Sequence, residues 1–100
     1  MCKFFYRTLL IFSFLLLFAC ITAPHQQKSD AIFALNAAKR IQANHCSPKK
    51  FYLAERFMER ADSFFTHKNF SGAKRGYVKA RKYAERAEFE CLLSKRKDQN

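Results

Sequence analysis

The chain has 100 residues, with 19 Lys or Arg against 8 Asp or Glu, four Cys, no Trp, and only two Gly and two Pro. That length admits one small domain with little loop machinery and little room for a catalytic cleft. The formal charge of +11 points toward anionic partners or surfaces.

The first element is an apolar run from Leu9 to Ala19, broken only by Ser13 and preceded by Lys3 and Arg7. A charged start followed by a short apolar stretch is the pattern of a secretory signal. The run itself falls well short of the roughly 20 residues that span a bilayer as a helix. An uncleaved N-terminal anchor reaching from Cys2 to Ile21 is the alternative. Cleavage after Ala23 would leave Pro24 just past the scissile bond and Ile21 where a small side chain is wanted.

The stretch Leu17-Phe18-Ala19-Cys20 resembles the lipobox of bacterial lipoproteins, although Phe18 stands where that pattern usually has a small residue. The resemblance implies that residues 1–19 are a signal peptide, that the Cys20 thiol is acylated, and that the chain is cut before it and acylated again on its new amino group. Three acyl chains exceed the marginal hold of one and keep a protein on a membrane. Without Lys3 and Arg7 the chain from residue 20 still carries 17 basic against 8 acidic residues.

Residues 20–28 then read as the lipid-attachment cysteine and a flexible tether, and residues 29–96 as an all-α, three-helix domain on an antiparallel hairpin. The first helix is expected over about 30–44, with Ser29 or Asp30 as N-cap. Its apolar face combines Ile32, Leu35, Ala38 and Ile41 with Ala31, Ala34 and Ala37. Ser47-Pro48 is a helix start signal, making Asn44, His45 and Cys46 a sharp connection. The second helix is expected over 48–67, with Phe51, Ala54, Met58, Ala61 and Phe65 on one stripe widened by Leu53, Phe57 and Phe64. At the turn, Asn69 suits a left-handed position and Ser71 the next N-cap.

The third helix, expected over 71–94, has the clearest period in the chain. Phe70, Ala73, Tyr77, Ala80, Ala84, Ala87 and Cys91 recur at three and four residues. Such a 3.5-residue repeat predicts a seam of helices crossing near 20°, with the alanines admitting a close partner backbone. Gly76, inside this helix, fits the same crowding. Residues 97–100 read as a frayed basic tail.

A hairpin centred near residue 69 sets Cys46 at nearly the height of Cys91. In an oxidising compartment the two can close a loop of about 45 residues, worth about 4 kcal/mol by chain entropy. Two separate thiols, with Cys91 simply a core residue, is the other reading. Cys2 leaves with the signal and Cys20 is taken by lipid, so one pair accounts for the rest.

No pattern for catalysis, metal or cofactor binding is present. His25, His45 and His67 are dispersed and lack ligand-spaced companions. Glu55, Glu59, Asp62, Glu85 and Glu88 alternate with basic residues, as on a solvated helix face. The stripe Arg75, Lys79, Lys82 and Arg86, broadened by Lys74 and Arg81, is either such a face or an anion-binding surface. Candidate partners are anionic lipid, lipopolysaccharide phosphates, acidic cell-wall polymer or an acidic protein. Nucleic acid fits poorly, since no single-strand or recognition-helix signature accompanies the charge.

Pro48, the spacing of Ala54 and Ala61, the turn Lys68-Asn69-Phe70 and the series Ala73, Ala80, Ala84, Ala87 resemble a family of small bacterial lipoproteins of unknown function. Its domains pair two Ala-rich helices around a short turn. The resemblance implies a bacterial envelope lipoprotein, favouring the outer membrane facing the periplasm, in which Phe70 packs back into the hairpin. The same turn resembles a single tetratricopeptide-like unit, which implies peptide binding, but the repeats are too few for that fold. The expected function is therefore a non-enzymatic, lipid-anchored structural or adaptor element, monomeric or dimerised through its helices. The alternative is a soluble periplasmic or secreted helical binding module of chaperone or inhibitor type.

Overall fold

A computed structural model describes residues 2–19 and 23–98. Among them every element is helical: α1 (Cys2–Ala19), α2 (His25–Arg40), α3 (Ala43–Cys46), α4 (Pro48–Thr66) and α5 (Phe70–Asp98). The all-α expectation holds; after α1 the described residues form four helices where three were expected. Cys20 lies outside the described residues, as do the last two residues of the expected tail.

The apolar N-terminal segment is helical as α1, and among the described residues it makes no helix–helix packing with α2, α3, α4 or α5. Phe4, Phe5, Leu9, Leu10, Ile11 and Phe12 are all exposed along it. No helix among the described residues is long and apolar enough to cross a membrane.

The first domain helix begins five residues before the expected start. Pro24 stands at its N-cap and its carbonyl accepts from Lys28 N–H, so residues 25–28 belong to α2 rather than to a tether. Neither Ser29 nor Asp30 caps it. Asp30 instead accepts from the Gln26 amide and faces Arg81. The buried face of α2 is Ala31, Ala34, Leu35 and Ala38, while Ile32 is exposed. Small side chains are selected because α2 meets the alanine seam of α5.

α2 stops at Arg40, short of residue 44. Gln42 takes a left-handed conformation (φ 59°) that redirects the backbone into the single turn of α3, where a sharp, non-helical connection at Asn44, His45 and Cys46 was expected. Pro48 occupies the first turn of α4, lacking the N–H that would go unpaired there. Ser47 does not cap that helix with its side chain; its hydroxyl goes to α5 instead.

At the α4–α5 turn both expected roles fall to earlier residues. Lys68 holds the left-handed position (φ 61°) and Asn69 caps α5, its Oδ1 accepting from Gly72 N–H at 3.1 Å. Ser71 is therefore inside the helix. Phe70 does pack back, edge-on to Phe65 at 5.7 Å between ring centres. α5 then continues to Asp98, so part of the expected tail is helix.

α5 is the middle element. α4 and α2 both pack chiefly against it and touch each other only marginally. Its seam is buried completely, with Ala73, Tyr77, Ala80, Ala84, Ala87 and Cys91 all at 0% exposure, while Phe70 is half-buried. One core cluster gathers Leu35, Ala38, Ala43, Phe51 and Ala54 around Ala84, Ala87 and Cys91. A second, at the turn end, gathers Ala31 and Ala61 around Ala73, Tyr77 and Ala80. α4 meets this seam with buried Phe51, with Ala54 and Ala61 admitting a close approach, and with Phe57, Met58 and Phe65 partly buried alongside.

Gly76 shows how close the helices come. A Cβ built there would lie 2.8 Å from the Ala61 Cβ and 3.2 Å from its Cα, so only glycine fits the crossing.

Candidate functional site: the outward face of α5

At one end of the domain Cys46 and Cys91 are joined, with Cα atoms 5.5 Å apart across a separation of 45 residues. Beside the bridge, Glu90 on α5 accepts from Ser47 Oγ at 2.6 Å and from Lys50 Nζ. The Lys50 bond chiefly, then the Ser47 bond, holds the Glu90 carboxyl below its ordinary value of 4.5. The end of α3 is thus tied to α5 by a covalent bond and the start of α4 by an ionic clamp. At the other end, the Tyr77 hydroxyl donates to Asp62 Oδ1 at 2.5 Å, and the Lys28 ammonium lies 3.9 Å from the same oxygen. Burial above all, then the bond to Asp62, pushes the Tyr77 phenol upward, so it stays protonated.

With both flanks of α5 covered, its remaining face points outward. Gly76, Tyr83 and Glu90, seven residues apart, form the edge against α4. Gly76 meets Ala61, Tyr83 stacks on Phe57 at 5.4 Å, and Glu90 holds Lys50. Arg81, Glu85 and Glu88 form the edge against α2, lining a groove with Asp30, Phe33, Ala34 and Ala37. Arg75, Lys79, Lys82 and Arg86 lie between these edges, all exposed.

The six predicted basic residues therefore divide. Lys79, Lys82, Arg86 and Arg75 form one outward row. Lys74 is exposed but rotated toward the α2 side of the helix. Arg81 faces α2, 3.9 Å from Asp30 and 3.7 Å from Glu85, too far for hydrogen bonds, and its buried Nε has no hydrogen-bond partner. Its charge is answered locally by two carboxylates. None of the four in the row takes part in an ion pair among the described residues.

The row is partly pre-positioned. The Lys79 ammonium sits 5.4 Å over the Phe57 ring and the Arg86 guanidinium 5.8 Å over Tyr83, so the Phe57–Tyr83 stack carries a cation on each side. Sequence reasoning missed this support because the two rings come from different helices. On α4, Phe51 is core and Phe57 is committed to the stack, while Tyr52, Leu53 and Phe64 stay exposed.

Among the described residues no three His, Cys, Asp or Glu side chains converge as a metal-binding group. His45 adjoins a cysteine already spent in the bridge, and His25 packs edge-on against Phe65. Comparison with protein families, with curated proteins and with solved structures finds no match to this chain.

Proposed function

We propose that this chain is a non-enzymatic lipoprotein of the bacterial envelope. It loses residues 1–19 as a signal peptide and is held to a membrane, the outer membrane facing the periplasm being favoured, by acylated Cys20. Beyond the anchor it presents a helical domain, whose α2, α4 and α5 correspond to the three expected helices, as a structural or adaptor element. The observation that carries the reading is the outward row Arg75, Lys79, Lys82 and Arg86. Four cations lie on one helix face without a carboxylate partner among the described residues, two of them steadied over aromatic rings. A merely solvating face would mix signs, as the outer face of α4 does with Glu55, Arg56, Glu59 and Arg60. The bridge between Cys46 and Cys91 fits an oxidising compartment.

The row's ligand in this reading is a phosphate- or carboxylate-bearing component of the envelope: anionic lipid, lipopolysaccharide, cell-wall polymer or an acidic protein. Cosedimentation with anionic vesicles and with isolated cell wall, at low and high salt, tests it. Lys82→Glu with Arg86→Glu reverses two charges, each worth about 1 kcal/mol near an anionic surface, so binding should fall by more than tenfold. Equal recovery of wild type and variant would remove the proposal. Binding that persists at high salt would remove its ionic basis.

A further inference from the structure

The basic row does not end at Arg86. Its step of four, three and four residues continues through Phe89 and Leu93 to Arg96, so one outward line on α5 carries four cations, then an apolar patch, then cations again. The patch is open: Phe89 is 61% exposed, Leu92 50% and Leu93 41%, and it straddles the last core residue of α5, Cys91. Lys95, Arg96 and Lys97 close it on the far side, all exposed. Three nearby carboxylates have partners or lie toward α2. Glu90 is held by Lys50 and Ser47, Glu85 lies beside Arg81, and Glu88 lines the groove against α2.

We infer that Phe89, Leu92 and Leu93 insert into the interfacial layer of an anionic phospholipid bilayer, with the outward line of α5 lying along that surface. This rests on the anion-binding reading of the row and commits it to one ligand, the phospholipid headgroup. An apolar cluster flanked on both sides by Lys and Arg is the composition of helices that lie in a headgroup layer. A second copy of the chain is disfavoured as occupant, because docking by the same face would set one row of cations against another. An acidic protein could meet the cations, but the apolar patch between them would then need an apolar counterpart in register.

The geometry also suits a chain anchored at its other end. His25 packs on Phe65, so the polypeptide enters the domain beside the α4–α5 turn. From Arg75 to Arg96 the line is about 32 Å long at 1.5 Å per residue, which puts the apolar patch far from that point of entry. Lipid at one end and an inserted patch at the other lay the domain flat, and the first attachment makes the second intramolecular.

The chain contains no Trp, so Phe89→Trp supplies a single reporter at an exposed position. The protein as purified from membranes, carrying this change, is mixed with vesicles of phosphatidylglycerol and phosphatidylcholine, and separately with pure phosphatidylcholine. Because the reporter reads only its own surroundings, an N-terminal lipid does not confuse the result. The expected outcome with the anionic vesicles is emission at shorter wavelength and quenching by a quencher confined to the acyl region. Both should be lost when Leu92→Asp and Leu93→Asp are added, with helix content by circular dichroism unchanged. Without the N-terminal lipid the same pair should lower vesicle affinity by roughly tenfold or more, the scale of losing two partly buried leucines.

Vesicle binding with unshifted, unquenched emission overturns the insertion while leaving the ionic row intact. Failure to bind anionic vesicles, with binding to isolated cell wall retained, overturns the insertion and moves the row's ligand to the polymer. Failure to bind either removes the anion-binding reading as well. A shift that appears without vesicles and grows with protein concentration identifies a second copy as the occupant and overturns the proposal.

Discussion

Cys46→Ala removes the cross-link while leaving the Cys91 sulfur in the core, where it is completely buried; Cys46 itself is exposed. The substitution therefore separates the bridge from the packing around it. Closing a loop of 45 residues lowers the entropy of the unfolded chain by an amount worth about 4 kcal/mol at 25 °C. A core this small rarely supplies more than about 3–5 kcal/mol, so the variant should sit close to its unfolding midpoint in plain buffer. Urea titration followed by far-ultraviolet circular dichroism, on wild type with and without reductant and on the variant, reads the effect. Reduced wild type and Cys46→Ala should agree with each other and unfold at least about 2 M earlier than oxidised wild type, taking about 1–2 kcal/mol per molar urea. A loss below about 1 kcal/mol would refute the reasoning. It would mean either that the unfolded chain already holds these ends together or that the ionic clamp at Glu90 suffices alone.

Further outcomes test other parts of the fold. Gly76→Ala improves helix propensity by about 1 kcal/mol, yet its Cβ would meet Ala61 at 2.8 Å; overpacking should win, for a net loss of about 1–2 kcal/mol in urea unfolding. Adding Ala61→Gly should restore most of that loss, and no recovery in the double variant would place the clash elsewhere. Glu90 has its pKa lowered by Lys50 and Ser47, so its stabilisation is present in full above its ordinary value of 4.5 and fades as pH falls through the depressed folded value. Glu90→Gln should consequently lower the melting temperature at pH 7, and the deficit should shrink progressively as pH is lowered below 4.5; a deficit independent of pH would deny the ionised carboxylate its role.

Much of the architecture was readable where one residue type repeated at helical spacing. The run from Ala73 to Cys91 specifies its buried face because alanine has no competing use there, and all six of its seam positions are buried. The hairpin register followed from turn position and rise per residue alone, which brought Cys46 to the height of Cys91. What misled were polar residues with two employments. Asp30 looks like an N-cap and is instead engaged with Gln26 and Arg81. Ser47 looks like another and is drawn away by Glu90, a partner 43 residues on. Gln42 and Lys68 adopt left-handed conformations that their side chains do not advertise, so α3 and the identity of the turn residue were invisible. The division of the basic stripe was equally hidden. Arg81 is one helical step from the row, and only the position of α2 decides that it faces carboxylates.

The intact mass of the protein recovered from the membrane fraction tests most directly how the chain is held to its membrane. The predicted species begins at Cys20, carries a diacylglyceryl group and an amide-linked acyl chain, and gains no mass from thiol alkylation until it is reduced. A chain that begins at Met1 or Pro24 without acyl mass would contradict the account.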